Sequence, residues 1–241
     1  MKSLLAALSF LTRLPAGRWM QFSVTDVADS AGLFPVAGLL LGLIYWGAAA
    51  ILKGHLPMAV VAILLVALDA ILTGAMHFDG LADTADGFGG GKDENDVLRI
   101  MRDHSIGSYG GVALVLAIVM KTALYTFLLE REYWFFKVAL VPVLGRWSIL
   151  LLAAALPYAR HTASVIEGMS KVSLVWGTLT VVLAIASSGL GRAWVAAAVV
   201  VAVSALFGLY CRRRIGGVTG DTLGANLQLC EVAALLTFVW A

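Results

Sequence analysis

Seven stretches of about twenty apolar residues each, near 31–52, 56–77, 109–129, 134–156, 173–190, 192–210 and 222–241, follow one another along the chain. Each is long enough as a helix to cross the roughly 30 Å of a bilayer's hydrocarbon layer. In lipid a backbone must satisfy its own hydrogen bonds, so such segments are expected as helices. The expected fold is an all-α, polytopic membrane bundle of about seven transmembrane helices, forming one integral-membrane domain over residues 1–241. The shorter segment 2–14 precedes Pro15, Gly17 and a polar run to Asp29, and reads as an amphipathic interfacial or re-entrant helix. Only Lys2 precedes its apolar part and no small-residue cleavage site is evident, so it is expected to be retained rather than removed as a signal peptide.

Composition agrees and closes off other classes. Of 241 residues, 61% are hydrophobic and 13% charged, with a mean hydropathy of +0.91, which excludes a disordered chain. A net charge of +2 offers no extended basic surface for nucleic acid, and two cysteines, Cys211 and Cys230, are too few for a disulfide framework. Lysine and arginine resist translocation and mark the cytoplasmic side. With the N-terminal segment inside, eleven of them (Lys2, Arg13, Arg18, Lys92, Arg99, Arg102, Arg160, Lys171 and Arg212 to Arg214) fall on that side, against Lys53, Arg131, Lys137 and Arg192 outside. This orientation puts the two polar, glycine-rich loops, 77–108 and 211–221, on one cytoplasmic face, where they can build a single site.

The first loop opens His77-Phe-Asp79-Gly-Leu-Ala-Asp83-Thr-Ala-Asp86-Gly87, and carboxylates at i, i+4 and i+7 share one face of a helix. Three crowded like charges need a neutraliser, and a hard divalent cation, Mg²⁺ above all, is the economical one. Asp79, Asp83 and Asp86 are therefore the candidate metal ligands, although a merely solvated loop would show the same charges. The interleaved glycines weigh against simple solvation, since glycine lets a backbone approach a ligand closely. The run 87–92 is not a phosphate-binding P-loop, because Asp86 stands where its first glycine is required and no Ser or Thr follows Lys92.

Downstream, Arg99-Ile-Met-Arg102-Asp-His104-Ser105-Ile-Gly mixes bases and hydroxyls. Arg99, Arg102, Lys92 and Ser105 are candidate phosphate contacts, with service as positively charged membrane anchors the plainer alternative for the arginines. The second loop contributes Thr219, Asp221 and Asn226, where Asp221 either caps a helix or meets metal or substrate. Inside the spans, Asp69, Lys121, Arg146 and Glu231 are expected to face the bundle interior and pair with one another or with substrate.

Taken together, HFDGLADTADGFGGG, IMRDHSIGSYG and GGVTGDTLGA, in a chain that opens FLTRLP and continues FPVAGLLLG, resemble the cobalamin synthase (adenosylcobinamide-GDP ribazoletransferase) family over nearly the whole length. The resemblance implies Mg²⁺-dependent transfer of the phosphocobinamide group of adenosylcobinamide-GDP to the 5′-hydroxyl of α-ribazole, or of its 5′-phosphate, giving adenosylcobalamin (or its 5′-phosphate) and GMP. Asp79 and Asp83 would be the first ligands, with one of the carboxylates or His77 accepting the proton. The partners implied are those two substrates, the lipid of a cell (inner) membrane and, as open alternatives, a second copy or other late cobalamin-assembly enzymes. CDP-alcohol phosphotransferases perform a similar displacement, but Asp83 stands where their motif has an arginine. A secondary transporter would need repeated halves and discontinuous spans, and neither is evident.

Overall fold

The computed structural model describes residues 2–15, 20–103, 105–160, 164–166 and 168–240. His104 and Arg18, weighed above, lie outside the described residues. Two short helices come first. α1 (Lys2–Leu11) is tied to α2 (Val24–Asp29) by a Lys2–Asp26 ion pair of 2.6 Å, while Ser23 and Asp26 cap α2 reciprocally. α1 packs against α2 and α3 (Phe34–Leu52), as expected of a helix lying beside the bundle.

The expected second crossing is broken. α4 runs only from Met58 to Thr73; Gly74 (φ 65°) and Ala75 (φ 58°) both adopt left-handed backbone, and α5 (Met76–Gly90) departs at 90°. A glycine at this position is the standard way to end a helix. The loop expected from residue 77 onward is thus helical through Gly90, and α5 runs across the ends of its neighbours instead of continuing through the bundle. A short α6 (Glu94–Ile100), capped by Asp93, follows it.

Five long helices complete the chain: α7 (Ser108–Leu129), α8 (Trp134–Ala155), α9 (Lys171–Ser188), α10 (Gly191–Ile215) and α11 (Gly220–Val239). Six helices among the described residues are long and apolar enough to span a membrane, or seven spans if the bent α4–α5 pair is one of them. α8 and α11 are central. Their spanning windows are 78% and 67% buried, against 28–39% for the other four. The outer helices point large apolar side chains outward, such as Val115 and Val119 on α7, Leu183 on α9 and Leu206 on α10. An apolar exterior around a polar-containing interior suits a protein solvated by lipid.

Without a hydrophobic drive between helices in lipid, close backbone contact must hold them. Gly38 and Gly42 of α3 lie directly on the backbone of Pro142 and Ala139 in α8, leaving no room for a Cβ. The bundle has two distinguishable ends. At one, Lys53 donates to the Leu129 carbonyl and stands 4.9 Å above the Trp134 ring, joining the ends of α3, α7 and α8. At the other, the Arg13 amide donates to the Leu72 carbonyl (2.6 Å), and α5 meets the first turns of α7 and α11.

Candidate active site

The crossing of α5 with α11 sets the position of the acidic residues. A Cβ at Gly80 would lie 2.8 Å from the Asp221 carbonyl oxygen, and one at Gly224 would lie 3.3 Å from the Cα of His77, so this pair of glycines lets the two backbones touch. Asp79 and Asp83 flank Gly80 on α5, and Asp221 faces them from the first turn of α11. Asp79 is exposed and Asp83 half-buried. Burial, followed by the charges of Asp79, Asp221 and Asp86, pushes the Asp83 carboxyl up to about 6, while Arg160 acts in the opposite direction.

Arg160 donates to Asp221 Oδ2 at 2.6 Å. It is carried there by a short parallel bridge in which the Ala159 amide donates to Val218 O (2.8 Å) and the Val218 amide to Pro157 O (2.9 Å). Sequence reasoning missed this role and counted Arg160 only as a topology marker. The pair spans sixty-one positions, and nothing local in the sequence announces it. The N-cap of α11 is Thr219, reciprocated by Thr222, so Asp221 is free of the capping job considered for it.

Several expected site residues have other work. Both Asp86 oxygens accept backbone amides at the start of α7, from Gly107 (2.7 Å) and Gly110 (2.9 Å), so this carboxylate anchors α7 onto α5 rather than standing with Asp79 and Asp83. Thr219 is wholly buried in its capping box. Asn226 donates to Ser148 O and Ser204 Oγ, both at 3.1 Å, and ties α11 to α8 and α10. Asn226 therefore faces away from the acidic surface, whereas the Thr219 hydroxyl, besides capping α11, also donates to Asp221 Oδ2 (3.4 Å). Lys92, Arg99, Arg102 and Ser105 are exposed around α6, beyond the C-terminal end of α5. Arg99 pairs with Asp96, and the structure draws none of the four side chains onto Asp79 or Asp83. Arg214, counted above only among the charges of the cytoplasmic side, also donates to the Phe88 and Gly91 carbonyls (2.9 and 2.8 Å) and closes the end of α5.

The four ionisable residues expected inside the spans do pair with one another. Lys121 donates to Asp69 (2.9 Å), Glu231 (2.7 Å) and Gln228 (3.1 Å). Arg146 donates to Glu231, and Tyr45 donates to Asp69 at 2.8 Å. Two cations and two anions thus balance within a closed knot that joins α3, α4, α7, α8 and α11.

His77, one residue into α5, is 3% exposed and its Nε2 has no hydrogen-bond partner. It lines a cleft of about 240 Å³ together with Asp79 and Asp221 and apolar side chains from α1, α8 and α11.

Among the described residues no group of three or more His, Cys, Asp or Glu side chains is assembled as a metal cage. The donor set suits Mg²⁺ all the same. Asp79, Asp83 and Asp221 offer only hard oxygens, and Mg²⁺ is ordinarily held by one or two carboxylates with substrate phosphates and water completing its shell.

A family model for cobalamin-5-phosphate synthase matches residues 3–239. Relatives named adenosylcobinamide-GDP ribazoletransferase include one from Syntrophobacter fumaroxidans, 39% identical over 95% of this chain and 94% of its own length. Another, from Azorhizobium caulinodans, is 41% identical over 96% and 92%, and one from Clostridium botulinum (strain Langeland) is 36% identical over 96% and 95%. No solved structure matches the chain.

Proposed function

This chain belongs to the cobalamin-5-phosphate synthase family and is a membrane-embedded transferase of cobalamin assembly, and on that premise we propose that its α5–α11 crossing transfers the phosphocobinamide group of adenosylcobinamide-GDP to a ribose hydroxyl of α-ribazole, with release of GMP. The whole chain acts as one catalytic unit. A ribose oxygen bonds to the cobinamide-bearing phosphorus, the bond from that phosphorus to the bridging oxygen breaks, GMP departs with the bridging oxygen, and the hydroxyl proton passes to a carboxylate of the cluster. With α-ribazole 5′-phosphate as acceptor, the 5′-oxygen is already esterified and attack falls to a secondary hydroxyl.

The observation that carries this reading is the convergence of Asp79 and Asp83 with the Asp221–Arg160 pair across the Gly80–Gly224 contact. Phosphoryl transfer asks a protein mainly for positioning and charge neutralisation. Asp79 and Asp83 would hold Mg²⁺, which when bound offsets the charge of the diphosphate and of the departing GMP. Arg160 keeps Asp221 oriented at the edge of the site and adds one positive charge to an otherwise acidic surface. Lys92, Arg102 and Ser105, exposed beyond α5, are available to the outer phosphate of the donor.

The orientation follows from charge. On the face carrying the site stand Arg13, Lys92, Arg99, Arg102, Arg160, Lys171 and Arg212 to Arg214, whereas Lys53, Arg131, Lys137 and Arg192 belong to the opposite end. This asymmetry supports a site at the cytoplasmic surface of the cell (inner) membrane, since positively charged flanks resist translocation. The test is direct: purified protein in nanodiscs, supplied with adenosylcobinamide-GDP, α-ribazole and Mg²⁺, should release GMP in step with corrinoid product. Absence of GMP release under these conditions overturns the proposal.

A further inference from the structure

The cleft beside the acidic cluster has a composition that the transfer chemistry alone does not explain. Its walls are apolar: Phe10 and Leu11 of α1, Ile149 of α8, Leu223 of α11, and Ile166 and Met169 from the segment before α9. Phe10 stacks on Phe34 with ring centroids 5.8 Å apart, which gives the cleft an aromatic wall already braced from behind. Asp79 and Asp221 are the carboxylates at its lining, and His77 Nε2 is the buried side-chain atom in that lining without a hydrogen-bond partner. Leaving a polar atom enclosed and unpaired is costly, so the retention of one on a residue that lines an open cleft points to a ligand that completes it.

The two substrates of the proposed reaction place opposite demands on such a space. A guanine ring carries several donors and acceptors on its edge, and burying it here would leave most of them unpaired. The benzimidazole of a ribazole is flat, apolar and, once linked to its ribose, has a single free ring nitrogen that accepts one hydrogen bond. Building on the function proposed above, we propose that this cleft seats the aromatic base of the ribazole, with Phe10 and Met169 against its faces and His77 Nε2–H donating to its free ring nitrogen. The attached ribose then lies toward Asp79 and Asp221, where its hydroxyl meets the diphosphate. α1 forms one wall of the cleft and the bundle the other, so the base would sit beside the helix expected at the membrane interface.

The assignment is tested without turnover, so that it is judged separately from the transfer reaction. Full-length protein in nanodiscs, with neither Mg²⁺ nor corrinoid, is titrated calorimetrically with α-ribazole and with its indole counterpart, in which C–H replaces the ring nitrogen. A site built to hydrogen-bond a group rejects the analogue that lacks it. Wild type is expected to bind α-ribazole at least tenfold more tightly than the indole riboside. H77A should bring the two to within twofold of each other, and H77Q, which keeps an N–H donor, should restore part of the difference. M169W, which fills the cleft, should weaken both ligands at least tenfold while binding of GDP with Mg²⁺ changes less than threefold. Equal binding of the two ribosides by wild type would overturn the assignment, as would an unchanged ratio in H77A. Displacement of GDP by free 5,6-dimethylbenzimidazole would also overturn it, because it would put guanine in the cleft. A protein that releases no GMP in the transfer assay yet separates the two ribosides would retire the reaction and leave the cleft's ligand standing.

Discussion

Asp83 is the residue at which position and charge conflict most visibly. It is half-buried among Asp79, Asp221 and Asp86, and its carboxyl is pushed up to about 6. Between the usual carboxylate range near pH 4 and that value, the folded protein holds a proton that the unfolded chain has released. Metal-free protein should therefore lose stability as pH rises through this window, with the loss complete above about pH 6. Mg²⁺ competes with the proton, so the rise in thermal midpoint it produces should be larger at pH 7.5 than at pH 5, and Asp83→Asn should remove that difference. A scanning fluorimetry series in detergent measures both. The buried knot makes a separate prediction. Lys121→Met would leave Asp69 and Glu231 with one cation fewer, and breaking such a buried pair costs about 3–5 kcal/mol. Unfolding in mixed micelles should show that loss, and the double variant Lys121→Met/Glu231→Leu should recover part of it. Pairing among these four residues was legible in the sequence because an ionisable side chain in a span has few other options. The place of Asp86 was not: helical spacing put it in line with Asp79 and Asp83, but spacing says nothing about a neighbouring helix whose first amides occupy both its oxygens.

At the scale of elements, two glycine contacts divide stability from activity. Gly42→Ala puts a methyl group into the backbone of Ala139 at the α3–α8 crossing, and overpacking of this kind costs about 1–3 kcal/mol. Its effect should appear as a lower unfolding midpoint. Gly80→Ala pushes against Asp221 at the α5–α11 crossing, where a small shift separates the carboxylates. That variant should lose at least tenfold in turnover, with a midpoint shift smaller than that of Gly42→Ala, when both are assayed side by side. Six of the long helices were readable from hydropathy, as apolar runs that an isolated charge such as Lys121, Arg146 or Glu231 does not break. The break after Thr73 was not, because the apolar run continues to the edge of the acidic motif and masks Gly74, whose left-handed backbone ends α4. The consequence is functional. A continuous span would have carried Asp79 and Asp83 straight out of the membrane, whereas the 90° turn lays them across α11.

For the whole molecule, the site exists only because segments distant in sequence end on one face. The contact of Gly80 with Asp221 and the pairing of Arg160 with Asp221 place α5, the end of α8 and the start of α11 together. The sequence conveyed this sharing of a face through its charge asymmetry, but not the contacts themselves. Single cysteines at Lys92 and Arg213, introduced after replacing Cys211 and Cys230 with alanine, should label from the cytoplasmic side of sealed vesicles. Cysteines at Lys137 and Arg192 should label from the other side. The most direct measurement is GMP release against Mg²⁺ concentration for wild type and for Asp83→Asn, which keeps the shape of the side chain and removes one charge. The expected result is a Mg²⁺-dependent wild-type rate and, in the variant, a rate at least a hundredfold lower that added Mg²⁺ does not fully restore. A variant that matches wild type at every Mg²⁺ concentration would contradict the assignment of the α5 carboxylates as the centre of the chemistry.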